Sequence, residues 1–132
     1  MPAAGSRFTQ PLASLCLALG LSLCTPAWSD TQIDTEIQYL LAFVAASPCS
    51  FVRNGTAHDP ADAADHLRLK YSRGANYVDS AEQFIDRLAS ESSWSGKPYT
   101  VICDGVTRPS RDWLYQALEQ YRQNGPAPEP AP

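Results

Sequence analysis

At 132 residues the chain has room for one domain only. Ten lysines and arginines stand against fourteen acids. Without Arg7, which falls in the N-terminal segment described next, nine bases remain and the formal charge is about −5. Such an acidic chain has no evident phosphate-neutralising surface, which argues against nucleic acid as partner. Beyond the N-terminal segment no apolar run is long enough to span a membrane.

Arg7 and the amino terminus form a short positive region. Leu12 to Leu23 follow as an apolar run of about a dozen residues, against the roughly 20 a spanning helix needs. Ala27-Trp28-Ser29 then places small residues at the two positions a signal peptidase reads. This three-part pattern predicts a secretory signal peptide over residues 1–29, removed after about Ser29 or after Ala27, and hence a periplasmic or secreted protein. An uncleaved membrane anchor is the rival. Cys16 and Cys24 each follow a leucine where lipidation wants a small residue, so they make a poor lipoprotein signal.

The compact domain is expected over 30–124. Its first helix spans about Thr31–Ala46: Ile33, Ile37, Leu40, Leu41 and Val44 recur at helical spacing. Asp34 and Glu36 lie in its early turns, where the helix dipole favours negative charge, and Pro48 stops it. Asn54-Gly55 is a two-residue hairpin signal, because both central positions of a type I′ turn need positive φ. Strands follow at about 50–53 and 56–58, with Phe51 opposite His58 and Arg53 opposite Thr56. Asp59 caps a second helix that begins at Pro60 and leaves at Gly74; Ala63, Ala64, Leu67 and Tyr71 are its buried stripe. A third helix starts at Asp79 or Ser80, with Asp79 and Glu82 close to a capping box. Its apolar face is Ala81, Phe84, Ile85, Leu88 and Ala89. After the polar loop Ser90–Gly96, Tyr99–Cys103 reads as a strand that joins the hairpin as third member and ends at Asp104-Gly105. Ser110 caps a last helix over about 111–123 that buries Trp113, Leu114, Ala117, Leu118 and Tyr121. The Pro-Ala-Glu tail, 125–132, cannot bury apolar area and is expected to be disordered.

With the leader removed, Cys49 and Cys103 are the remaining cysteines, and an exported pair usually oxidises. Closing that loop stabilises by roughly 4 kcal/mol in the chain-entropy model. Two free thiols, one of them catalytic, are the rival; that chemistry needs a nearby histidine and an oxyanion site. The expected fold is α+β, mostly helical: four helices with a small three-stranded antiparallel sheet and one disulfide.

Several stretches in order carry a resemblance: Phe51–His58, His66-Leu67-Arg68-Leu69-Lys70, Ser80–Asp86, and Ala89–Tyr99 with its serines and Gly96-Lys97-Pro98. From Tyr39 to about Leu118 the chain resembles the YfeK-like family of small exported bacterial proteins, a domain-of-unknown-function family. The resemblance implies a periplasmic setting and a small, mostly helical domain. It implies no activity.

Three groups of residues are candidate binding sites. Asp62, His66 and Lys70 form an i, i+4, i+8 row in which a carboxylate can orient an imidazole; an ordinary solvated face with i, i+4 pairs is the plainer explanation. Arg53 and His58 flank the tight turn and can grip a carboxylate or phosphate, or Arg53 can pair with a helix acid while His58 rests on Phe51. In the loop, Ser92, Ser93, Trp94 and Lys97 can hold an anion or a sugar, or the serines can simply satisfy backbone groups. Asn54-Gly55-Thr56 is also a glycosylation sequon, incidental to the turn in a bacterial export route. No metal site is expected, since two histidines without C-x-x-C or H-x-x-x-H are a thin ligand set, and no cofactor is implied.

The reading these features support is a non-enzymatic binding or inhibitor module of the bacterial envelope, its partner an envelope protein or a cell-wall ligand. The alternatives are a small envelope hydrolase, with His66 as base and a serine of 90–95 as nucleophile, and a structural envelope protein with the tail as spacer.

Overall fold

The computed structural model describes residues 29–125 and, of the remainder, only Gly5 and Gly20. Apart from Gly5, Gly20, Ser29 and Gly125, the expected signal peptide and proline-rich tail lie outside the described residues. The elements in order are α1 (Asp30–Ala46), β1 (Ser50–Arg53), β2 (Thr56–His58), α2 (Pro60–Gly74), a 3-10 turn (Ala75–Tyr77), α3 (Ala81–Leu88), β3 (Thr100–Cys103), β4 (Val106–Pro109) and α4 (Ser110–Asn124). Among the described residues the architecture is α+β, four helices with one antiparallel sheet.

Local chemistry explains most element starts. The Ser29 hydroxyl and carbonyl both accept from Gln32 N–H at the head of α1. The Asp59 carboxylate accepts from Asp62 N–H at 2.8 Å, and Pro60 follows in the first turn of α2. Two caps differ from expectation. In α3 the cap is Ser80, one of the two expected starts, but the box is not Asp79 with Glu82: Ser80 Oγ accepts from Gln83 N–H, and Gln83 Oε1 accepts from Asp79 N–H. Ser110 does not cap α4. It is the first helical residue, 3% exposed, and its N–H donates to the Tyr99 carbonyl at 2.9 Å, because β4 runs straight into the helix.

The sheet has four strands, order β2-β1-β3-β4, where three were expected. Asp104-Gly105 does not end the chain's run as a strand; it turns it. Asp104 and Gly105 have φ of 50° and 77°, matching Asn54 and Gly55 at 49° and 79°, and Cys103 pairs with Val106 across the turn. Each dipeptide thus takes the positive-φ geometry of a primed hairpin turn. The first hairpin has the expected register, with Phe51 opposite His58 and Arg53 opposite Thr56. The two hairpins join along β1 and β3, where Phe51 pairs with Val101. At the end of that seam Cys49 and Cys103 form the expected disulfide, Cα atoms 4.6 Å apart.

The core lies between this sheet and the helices. Phe51 and Val101 contribute from the sheet, Ile37, Leu40, Leu41 and Val44 from α1, Leu67 from α2, Phe84 and Ile85 from α3, and Leu114 and Leu118 from α4. These are the expected helix faces; Ile33, Ala63, Tyr71 and Leu88 sit at their half-buried margins. Among the described residues no helix is long and apolar enough to cross a membrane.

One carboxylate of the early turns of α1 is buried. Glu36 is 2% exposed. Arg122 grips it with two hydrogen bonds, Nε to Oε2 at 2.6 Å and Nη2 to Oε1 at 3.0 Å, and its third nitrogen reaches Glu82. A fork of this kind satisfies a desolvated carboxylate and ties α1, α3 and α4 together. The hydrogen bond from Arg122 is the main cause holding the Glu82 carboxyl below its usual range.

Two stability outcomes follow from these ties. Reducing the disulfide should lower the unfolding free energy by about 4 kcal/mol, since 54 positions separate the cysteines; an unchanged urea midpoint with and without reductant would contradict it. Arg122→Met should cost roughly 3–5 kcal/mol by stranding the buried carboxylate, and adding Glu36→Leu should recover most of that loss. A double variant no more stable than Arg122→Met would show that the pair is not the cause.

Candidate ligand-binding groove

The Asn-Gly turn and helix α2 converge on one side chain, Tyr99, which lies just ahead of β3. Its ring is largely buried, 7% exposed, and its hydroxyl is 3.3 Å from His66 Nε2 and 3.3 Å from Lys70 Nζ. Lys70 also sits over the Tyr99 ring, 5.1 Å from its centroid, and donates to the Glu91 carbonyl at 3.1 Å. The His66 ring meets the Tyr99 ring edge-on. Arg53, at the end of β1, and His58, at the end of β2, complete the cluster from the sheet side.

The electrostatics follow from crowding. Burial, then the charges of Arg53, Lys70 and His58, push the His66 imidazole down from about 6.5 to about 4. Burial and Arg53 lower the Lys70 ammonium, with Glu91 opposing. Burial raises the Tyr99 phenol, with Arg53 opposing. At neutral pH His66 is therefore uncharged. Lys70 can only donate, so the Tyr99 hydroxyl accepts from Lys70 and shares a second hydrogen bond with His66 Nε2.

Arg53, His66 and Tyr99 form a wall with a hollow on either side. One is a small pocket shared with Phe51, Val52, His58, Asp62 and Ser110. The other is a broad, open groove continued by Asn54, Lys70, Arg73, Tyr77, Leu88, Ser92, Ser93 and Trp94. The structure thus brings together Arg53, His58, His66 and Lys70, and puts Ser92, Ser93 and Trp94 along the groove. Lys97 is exposed and lines neither hollow.

The serine loop is a clamped turn. Ser92 is 6% exposed; its Oγ accepts from the N–H groups of Trp94 and Ser95 and from Asn54 Nδ2, at 3.4, 3.2 and 3.4 Å. Ser95 Oγ donates to Asn54 Oδ1 at 2.6 Å, and Ser92 N–H donates to the Lys97 carbonyl. Ser90 Oγ donates to the Ile85 carbonyl. The hydroxyls of 90, 92 and 95 thus organise the loop, and the partner of His66 is a phenol, not a serine. Asn54, the sequon residue, is part of the same clamp. The loop presents Trp94 to solvent at 96% exposure.

Lining residues that the sequence did not single out as site residues include Arg73, Tyr77 and Tyr99. A signal for two of them exists. His66, Lys70, Arg73 and Tyr77 are spaced 4, 3 and 4 apart, the rhythm of one helix face. Among the described residues, Arg68, Arg87, Arg108, Arg111 and Arg122 each donate to a carboxylate, carbonyl or side-chain amide. Among the described residues the side chains of Arg53 and Arg73 have no ion-pair or hydrogen-bond partner, and both line the groove. No group of three or more histidine, cysteine, aspartate or glutamate residues is placed to hold a metal among the described residues.

Residues 31–122 match a family of unknown function, DUF5329. The uncharacterized protein YfeK of Salmonella typhimurium (strain LT2) is 43% identical over 88 residues, which cover 64% of this chain and 73% of that protein. No solved structure matches the chain.

The depressed His66 pKa sets a pH dependence. The unfolded imidazole protonates near 6.5 and the folded one near 4. Between those values the unfolded state binds the extra proton, so stability is lost as pH falls through this window. His66→Gln should flatten the decline in urea midpoint between about pH 7 and about 4.5. An identical slope in both proteins would refute the assignment.

Proposed function

The chain belongs to the DUF5329 family of unknown function, and from that footing we propose that it is a non-enzymatic binding module of the bacterial envelope whose groove takes an anionic ligand. The observation that carries this reading is the concentration of unsatisfied positive charge. Arg53 and Arg73, the two arginines whose side chains lack a partner among the described residues, line one groove with Lys70, in a protein that is acidic overall. The guanidinium fork fits carboxylate and phosphate in two-point contact, and such charge-assisted bonds are about twice as strong as neutral ones. His66, uncharged, adds a polar wall without adding repulsion between cations.

Work outside the cytoplasm suits the covalent chemistry. A Cys49–Cys103 bond persists where the surroundings are oxidising. The choice of cleavage point bears on α1 as well. Removal of the leader after Ala27 keeps the Ser29 cap, whereas a cut after Ser29 removes it and leaves a positive amino group at the helix's positive pole.

Isothermal titration of the oxidised protein with inorganic phosphate and with citrate tests the anion site. Saturable binding is expected, tighter for the multivalent citrate and weakened by salt. Arg53→Ala and Arg73→Ala should each weaken it about tenfold, while Lys97→Ala, outside the groove, should change little. Absence of saturable binding, or equal loss in all three variants, would sink the reading.

A further inference from the structure

We infer that the anion is carried on sugar: the groove takes an acidic saccharide, a chain of pyranose rings bearing carboxylates, with Trp94 and Tyr77 stacking on ring faces while Arg53, Lys70 and Arg73 hold the carboxylates. This rests on the anion-binding reading and names its ligand.

The aromatic residues carry the step. Among the described residues four large hydrophobic side chains are exposed, and two of them, Trp94 at 96% and Tyr77 at 73%, line this groove. Carboxylate recognition alone gives no reason for them. The C–H groups on one face of a pyranose make a flat, weakly apolar surface that an aromatic face covers well, while the ring's hydroxyls stay in water. The turn that carries Trp94 is also held ready: the backbone N–H of Trp94 is bonded to Ser92 Oγ, and Asn54 pins the same turn through Ser92 and Ser95. Little loop ordering remains to oppose binding.

The groove's shape separates a sugar chain from a peptide. Peptide and protein anchors gain most in enclosed, fully desolvated pockets. Here the aromatic residues stand out from an open groove instead of lining a deep one. Lys70 and Arg73 lie about one helical turn apart, roughly 5 Å along the axis, which is close to the length of one pyranose unit. Extended polymers lie along open surfaces of this kind, where successive rings repeat the same contact.

The oxidised full domain should be titrated calorimetrically with three tetramers: tetragalacturonate, tetraglutamate and neutral chitotetraose. Tetragalacturonate is expected to bind at least tenfold more tightly than either of the others. Trp94→Ala and Tyr77→Ala should each remove most of that advantage over tetraglutamate, and Arg73→Ala should weaken both acidic ligands together. If tetraglutamate binds as well as tetragalacturonate, or if Trp94→Ala leaves the preference intact, the saccharide assignment fails and the anion site stands. If chitotetraose matches the acidic sugar, or if neither acidic tetramer binds, the anion site fails with it.

Discussion

The β1–β3 seam is the constraint on which the rest of the structure depends. It joins two hairpins that are each too small to persist alone, and it joins parts of the chain about fifty residues apart: Phe51 on Val101, with Cys49 bonded to Cys103 at its end. Everything that approaches Tyr99 does so because of this seam. It places Arg53 of the first hairpin beside the residue that leads into the second. It also lays α2, which follows the first hairpin directly, across the same corner. The helices then close over the inner face, and Arg122 fastens the first and last of them through Glu36.

Charge is sorted unevenly over this frame. On the α3–α4 side carboxylates and guanidiniums are matched, Arg111 with Asp86 and Arg122 with Glu36 and Glu82. On the α2–hairpin side the bases outnumber the acids they touch. Their mutual repulsion is relieved in two ways. His66 gives up its proton, and Lys70 leans on neutral oxygens, the Tyr99 hydroxyl and the Glu91 carbonyl. On the proposed anion-binding reading, this corner, whose cations are held apart by neutral acceptors, is where the outside negative group sits.

Features encoded by neighbours in sequence were the legible ones. The helix stripes, the Asn54-Gly55 turn with its register, the Asp59 cap and the cysteine pair all rest on short-range period, turn chemistry or redox setting. The second hairpin is poorly marked in sequence although Asp104-Gly105 repeats the same turn signal, because Val106-Thr107-Arg108-Pro109 has no buried alternating face and ends in proline. Burial of Glu36 was not legible, since its partner lies 86 positions away. The groove was legible in part. Arg53, His66, Lys70 and Trp94 each drew attention by type and local pattern. Their meeting depends on how α2 and the 90–97 turn lie against β1, which no local pattern states, and the clamp from Asn54 to Ser92 and Ser95 spans about forty residues.

The outer rims of the sheet matter beyond the site. One is β2, only three residues long; the other is β4, whose last residue, Pro109, has no N–H to offer. Neither presents a long row of free backbone donors and acceptors to another molecule. Copies of this protein therefore find little template for strand-to-strand stacking, which favours staying dispersed over growing into fibres when the protein is concentrated.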